Sequence, residues 1–534
     1  MNERIMHIIK KLKKSAEWEK VFSLLQSVKD EEQNNPLWFY EVGLALYHSE
    51  KEAEAVPYLG QALNLLRSAD KNDADKINLY QNISELLKDC RRIRNFLANP
   101  IQQPLEYYEE KSYMFAVVCP GQENFVNKQS VIQRLKKMFD ITIIKDIDYT
   151  TVFSLQYKGQ YYEVEIYPDE VLEAHKNLKT RQYFSQQEQE NLINAQYCIA
   201  IVMDLTEKYK EGFHLQLKLL NAAVPNLLAV IDESGEQIFS GKWVQLAAQS
   251  QVLPPPKMFF NIQAVIGEDD KVWLHTHGLA RCHKPELEIL NVTQENYQGQ
   301  YNVLEVLSYR FLDYSSNIEQ KSPVFLAQLA NNILLVVTVV SWIEGVKKFP
   351  CDITGGILSR KYSHNTNSYI IFVYPNKDCF DAGDYYELSL YDDLLNDNPV
   401  YMISNEETNR MKQLALERIS FIKKIAEKHP EYIHLKIGLK TDTEENDGDK
   451  EYLWFVLKKL IDDDIFEAEL INEPYLIENL HKGDINIYNV SQITDWEVCA
   501  PAYKICPDDV YMLDDLSQSR DTVSIKKNNA MFLQ

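Results

Sequence analysis

The 534-residue chain has no glycine-rich phosphate loop, no dinucleotide fingerprint, no nucleophile elbow, no HExxH pair and no CxxC pair. These absences count against nucleotide hydrolysis, Rossmann cofactors, α/β-hydrolase chemistry and ordinary zinc peptidases. They leave room for an enzyme whose residues converge only on folding. The eight cysteines stand singly at 90, 119, 198, 282, 351, 379, 499 and 506, several of them inside apolar runs. That is the habit of buried free thiols in a reducing compartment, so a cytoplasmic protein is expected. Long apolar runs are also missing. The longest, Ile333–Val340 with Trp342 and Ile343, is shorter than the ~20 residues a bilayer span needs, and its β-branched content indicates a buried strand. Met1–Lys20 holds no continuous apolar stretch of the signal-peptide kind.

Positive charge is in short supply: 56 Lys and Arg against 79 Asp and Glu leave a net charge of −23. Nucleic-acid binding needs a basic face to release counterions, so no nucleic-acid partner is expected. With 45% hydrophobic residues and 32 tyrosines the chain is rich enough in apolar and aromatic side chains for its bulk to fold. Its length suggests three or four domains of roughly 100–200 residues.

Residues 1–98 read as helical. Val21, Leu24, Leu25 and Val28 repeat with helical period, and Asn34-Asn35-Pro36 breaks the chain before the next helix. Gly43, Ala55 and Ala62 then fall at the small-residue spacing of a tetratricopeptide repeat (TPR), with Phe39, Val42, Leu46 and Leu59 as the large residues between. Pro57 departs from that pattern, although proline is tolerated in a first helical turn. A plain helical bundle capping the next domain is the competing reading. Three repeats are normally needed for stability, so either arrangement should lean on the rest of the protein. Within Met1–Lys20, Ile5, Ile8, Ile9 and Leu12 oppose Arg4 and several lysines. Packing on the next helix is favoured over a membrane surface, so no membrane partner is expected.

After the proline-bearing stretch 98–104, strands and helices alternate. Strands are expected at Tyr113–Cys119, Val152–Tyr157, Tyr197–Met203 and Asn226–Ile231, and helices at Val131–Phe139 and Phe213–Ala222. Residues 105–315 thus read as an α/β sheet domain and 316–440 as a second α+β unit. A single helix is expected over Glu406–Lys428. Residues 441–534 read as a small β-rich module with a polar tail. The fold class expected is a multidomain α+β protein: TPR-like helical segment, mixed α/β sheet domains, β-rich C-terminal module.

Trp273-Leu-His-Thr-His-Gly-Leu279, followed by Pro285-Glu-Leu-Glu288, resembles the bacterial domain of unknown function 4026. Trp454, Asn472-Glu473-Pro474, Lys482-Gly483-Asp484 and Ile493-Thr-Asp-Trp496 are similar to domain of unknown function 2314. The resemblance implies a bacterial cytoplasmic protein and carries no activity. Modules like the second occur near toxin-immunity systems, which implies an immunity-like role by association alone.

The sharpest chemical candidate is His275, His277, Cys282 and His283. His-x-His on a strand puts both imidazoles on one face, where two neutral rings can chelate zinc or iron and Cys282 or His283 completes the set. The bland reading is that Gly278, Glu286 and Glu288 shape a turn and the next strand. Asp204 and Asp232 end apolar strands, where ligand crevices form, and with Glu286 and Glu288 they are candidates for a ligand or partner surface. A helix-capping or turn role is the competing reading for the two aspartates. The acidic runs Asp462–Asp464 and Glu444-Glu445 lack the spaced ligands of a calcium loop and read as solvated turns. Trp454, Tyr475, Tyr488 and Trp496 read as core, or as an aromatic recognition face. Two functions follow as expectations: a protein-interaction adaptor with no cofactor, or a metal-dependent hydrolase using His275 and His277.

Overall fold

A computed structural model describes residues 3–15, 17–49, 51–67, 74–98, 111–122, 127–139, 141–146, 151–267, 270–330, 333–349, 353–356, 367–397, 399–442, 450–500 and 503–513. The protein is α+β, and the described residues form three sheets that are largely antiparallel. It divides into two compact units. One comprises Met1–Ala248 with Pro256–Tyr401, and the other Gln249–Pro255 with Met402–Gln534. Residues 99–104 of the linker expected at 98–104, residues 443–449 of the acidic loop expected at 441–450, Cys351 and the tail after Leu513 lie outside the described residues.

The described residues of the first unit open with the helices α1 (Glu3–Lys14), α2 (Trp18–Ser27), α3 (Pro36–His48), α4 (Glu52–Arg67) and α5 (Ala74–Ala98). Asn35 caps α3, its side chain accepting from the Leu37 amide at 3.0 Å, with Pro36 at the first helical position. Gly43 lets α3 and α4 close up, since a Cβ there would sit 2.5 Å from Leu59 Cδ2. Trp38 is fully buried, and its indole donates to the Leu25 carbonyl at 2.9 Å, tying α3 to α2. Ile9 is buried and Ile5 and Leu12 are half-buried, so the apolar stripe of α1 packs on its neighbours. Pro57 lies in the second turn of α4, not the first, because the helix begins at Glu52. Its carbonyl accepts from Thr151 Oγ1 at 3.1 Å on the following sheet. Helices and sheet share one hydrophobic core, in which Leu59 and Ala62 join Tyr167, Cys198 and Val202.

That sheet contains β1 (Ser112–Val117), β2 (Thr142–Asp146), β3 (Val152–Tyr157), β4 (Gln160–Glu170), β5 (Lys179–Thr180), β6 (Tyr197–Met203), β7 (Ala229–Asp232) and β8 (Gln237–Ser240). Its order is β2-β3-β4-β6-β1-β7-β8-β5, with β5–β8 the one parallel pair among the described residues. Between β6 and β7 the chain forms the helix Tyr209–Ala223, nearly every residue of which is buried. Two of its buried polar side chains are bonded to main chain: Gln216 donates to the carbonyls of Ser112 and Ile201, and His214 Nε2 lies 2.8 Å from Ala247 O. Burial lowers the His214 pKa to about 3, so this imidazole is neutral and donates through Nε2.

The second sheet contains β9 (Asn261–Ile266), β10 (Lys271–His277), β11 (Glu286–Thr293), β12 (Val324–Ala330), β13 (Ile333–Ser341), β14 (Ser368–Val373) and β15 (Val400–Tyr401). The order is β15-β12-β13-β14-β11-β10-β9, with β11–β14 the parallel pair. The β-branched run at Ile333 is the inner strand β13.

The second unit holds a fully antiparallel sheet, β16 (Ile433–Lys440), β17 (Lys450–Leu460), β18 (Ile465–Leu470), β19 (Ile485–Asn489), β20 (Ile493–Ala500) and β21 (Tyr503–Ile505), in the order β19-β18-β17-β16-β20-β21. In place of the single helix expected over Glu406–Lys428 there are two, Asn405–Glu417 and Ile419–Ala426. The break falls at Arg418, which leaves helical geometry while its buried guanidinium donates to the Pro507 carbonyl at 2.6 Å. Trp496 is buried and donates to Ala415 O at 2.9 Å. Tyr488 is buried, Trp454 half-buried, and Tyr475 stands 94% exposed.

Asp495 on β20 is buried, its carboxylate accepting from the Trp496 amide at 2.8 Å. Burial raises its pKa to about 6, against the opposing pull of Lys436. A raised carboxyl favours the fold in its protonated form. That contribution is complete below the unfolded value near 3.8 and lost as pH rises through about 6. Asp495→Asn should therefore stabilise the protein at pH 8 by on the order of 2 kcal/mol and bring no gain at pH 4. Urea unfolding followed by tryptophan fluorescence at the two pH values checks this.

Candidate functional site

The β10–β11 hairpin carries most of the chemistry-bearing residues. Alternation along β10 puts Trp273, His275 and His277 on one face. The Trp273 and His275 rings stack at 3.9 Å, and His277 meets His275 edge-on at 4.8 Å. Opposite His275 on β11 is Glu288. It is fully buried, accepting from Trp273 Nε1 at 2.8 Å and from Ser368 Oγ. His277 Nδ1 lies 3.4 Å from Glu236 Oε1.

The turn between the strands is built by Glu286. Its carboxylate accepts from the amides of Gly278 (2.9 Å) and Ala280 (3.0 Å) and from Thr276 Oγ1 (2.5 Å). Gly278 has φ +115°, and a Cβ there would come within 2.4 Å of the Phe259 carbonyl. A short helical turn, Ala280–Cys282, follows, and His283 ends it in the left-handed region at φ +57°. Cys282 is fully buried, its thiol turned to Gly278 O and pushed up to about 12 by burial. It is held as an inert thiol.

This turn drives Arg281 into the interior, where it meets Asp232 at the end of β7. Both side chains have zero exposure. The pair is bidentate, with Arg281 Nη2 2.8 Å from Asp232 Oδ2 and Nη1 bonded to Oδ1. Neighbours supply further bonds to both groups. Arg281 donates to Phe259 O (2.7 Å) and Ser112 Oγ (3.3 Å), and its guanidinium lies over the Phe213 ring. Asp232 accepts from the Gly235 amide (3.1 Å) and Gln237 Nε2 (3.0 Å). A dry ion pair is tolerated only when its lone pairs and protons are met in this way.

Two residues on, His283 Nε2 lies 3.2 Å from Asp204 Oδ1 at the carboxyl end of β6. The hydrogen bond from His283 is the main cause holding the Asp204 pKa below the ordinary range, with the Thr206 amide, 2.7 Å away, adding to it. Thr206 has φ +63°, a strained position for a β-branched residue. Tyr162, bonded to Thr206, stands beside the pair and Tyr157 beside Tyr162, both pushed up to about 12 by burial, while the Tyr314 hydroxyl donates to Glu211 at 2.8 Å. Lys210 lies over the Tyr314 ring at 4.8 Å. A half-exposed carboxylate–imidazole pair with phenols beside it can orient a polar ligand or hold a proton.

The structure thus brings together His275 with His277, and Asp204 with His283. Cys282 is buried in the turn, and His283 faces Asp204. Among the described residues no group of three or more His, Cys, Asp or Glu side chains is arranged to hold a metal ion. Arg281, which sequence reasoning passed over, is the partner of Asp232. The available signal was an aspartate closing an all-apolar strand, which needs a cation once buried.

Residues 112–254 match the N-terminal part, and residues 262–372 the C-terminal part, of a family described as protein of unknown function (DUF4026). Asp204 and Asp232 lie in the first matched segment and Arg281 and His283 in the second, so both pairs join the two. No curated protein and no solved structure matches the chain.

Arg281→Met or Asp232→Asn alone should each cost about 3–5 kcal/mol, since each leaves the other group buried without its counter-charge. Arg281→Met combined with Asp232→Leu should recover most of the loss. Equilibrium urea unfolding of the three variants checks this.

Proposed function

We propose that this chain, which carries both domains of the DUF4026 family, is a protein-binding adaptor whose docking element is the N-terminal helical segment. The observation that carries the reading is helix α3, which is apolar on both faces. Trp38, Phe39, Val42, Ala45 and Leu46 are buried in the core, whereas Tyr40, Leu44 and Tyr47, at helical spacing on the other side, are only half-buried. A helix hydrophobic all round belongs in an interior, so a partner is needed to finish covering it. The TPR-like reading of α1–α5 belongs here, because stacked helix pairs offer extended binding faces. So does the likeness of the C-terminal sheet to domain of unknown function 2314, with the immunity-like role it implies. The polar residues of the β10–β11 hairpin support the same reading, since Glu286, Glu288 and Arg281 are taken up in shaping and anchoring it.

The hydrolase alternative retains one favourable observation, two imidazoles on one strand face. It calls for metal content, and the adaptor reading expects purified protein to hold no stoichiometric zinc or iron. Stoichiometric metal that disappears in His275→Ala/His277→Ala would decide for the hydrolase.

Tyr40→Ser/Tyr47→Ser should lower recovery of a stoichiometric protein partner about tenfold in quantitative co-purification from the native host, a loss of about 1.4 kcal/mol in binding. The melting temperature should fall by no more than a few degrees. Equal recovery with wild type would overturn the assignment of the docking face.

A further inference from the structure

Helix α1 gathers positive charge in a chain that is short of it. From Arg4 to Ala16 the sequence holds five Lys and Arg and no Asp or Glu. At 3.6 residues per turn the helix divides into two sides. Ile9 is buried, and Ile5, Met6 and Leu12 pack beside it on the core. Lys13 flanks this stripe and pairs with Glu41, which sets the last turn of α1 against α3, the helix carrying Tyr40 and Tyr47. The opposite side runs through Lys10, Lys14, Lys11 and Arg4, all exposed. Among the described residues Lys10, Lys11 and Lys14 form no ion pair.

Stability of the fold does not account for this arc. The helix dipole favours cations in the final turn, where Lys11, Lys13 and Lys14 stand. It does not extend back to Lys10 or Arg4. Lys10 and Lys14 are four residues apart and Lys11 and Lys14 three, so the clustered ammonium groups repel one another along the helix surface. A row of anions laid over them relieves that repulsion.

We propose that the partner of the helical segment presents an acidic stretch of polypeptide to this arc, its carboxylates lying along Arg4–Lys14. This rests on the adaptor reading and adds the partner's charge to it. The remainder of the chain selects among polyanions. With a net −23 it repels negative charge beyond the arc. Arg4 to Lys14 spans about 15 Å of helix, roughly two screening lengths at physiological salt. A few turns of a glutamate-bearing helix match that length. A nucleic acid running on past the arc meets the acidic remainder instead. A lipid surface holds an amphipathic helix by its apolar face. In α1 that face is taken up by the core, and Ile8, 40% exposed, is the one large apolar residue on the open side.

Fluorescence anisotropy of a short fluorescein-labelled poly-L-glutamate, titrated with the full chain, tests this. Wild type should bind with a dissociation constant on the order of 100 µM at low salt. Binding should weaken at least about tenfold in 1 M salt, where the screening length falls to ~3 Å. Lys10→Gln/Lys11→Gln/Lys14→Gln should weaken it about tenfold at low salt, with an unfolding midpoint equal to wild type or higher, since like charges are removed. Lys136→Gln/Lys137→Gln, at exposed lysines ending the helix Lys128–Met138, should bind as wild type. Wild type that leaves the peptide unbound at about 1 mM overturns the proposal. So does equal binding by the triple variant, or an equal loss in Lys136→Gln/Lys137→Gln. Tighter binding to oligothymidylate, or to vesicles of equal parts phosphatidylcholine and phosphatidylserine, overturns it in favour of a nucleic acid or a membrane. The tyrosine variants of α3 report on the adaptor reading separately: partner loss there, with no poly-L-glutamate bound here, removes this proposal alone.

Discussion

The ion pair between Arg281 and Asp232 is the constraint around which the first unit is organised. Neither side chain touches water, so each charge is tolerable only because the other is there in bidentate geometry. Asp232 ends β7 in the first sheet, and Arg281 comes from the turn of the β10–β11 hairpin in the second. Breaking the pair would strand a bare charge in the core. The pair therefore ties the two matched family segments together inside the first unit. The strained turn follows from it: Gly278 at φ +115° and the Glu286 carboxylate curl the chain so that Arg281 points inward.

That geometry reinterprets the histidine-rich motif. A run with three histidines and a cysteine looks like a ligand set, because spacing alone cannot say which way each side chain leaves a turn. The turn scatters them. His275 stacks on Trp273, Cys282 is sealed in the core, and His283, forced into left-handed geometry, reaches Asp204. What remains accessible is the Asp204–His283 pair, flanked by a strained Thr206. Backbone strain of this kind persists only where the surroundings over-determine it.

Much of the secondary structure was legible in residue pattern. Val152–Tyr157 and Tyr197–Met203 form strands at the expected bounds, because their apolar runs are bounded by turn residues and buried inside a sheet. Less legible were breaks with long-range causes. Nothing local marks Arg418 as the end of a helix. The chain bends there because its guanidinium finds the Pro507 carbonyl, 89 positions away. The site was legible as a set of residues and not as an arrangement. Asp204, Asp232 and His283 were all singled out, but their pairing crosses between two sheets, and Arg281 carried no local mark at all.

Sequence by itself determined the composition of the layers: helices first, then alternating strands and helices, with no helix among the described residues long and apolar enough to cross a membrane. Those features depend on periodicities of two or 3.6 residues, which neighbours along the chain express. Only the tertiary structure decided which polar groups serve the fold and which remain available to a ligand or partner. The reason is that the fate of a buried charge depends on what the rest of the chain brings within three ångströms of it, and for Asp232 that was an arginine 49 residues downstream.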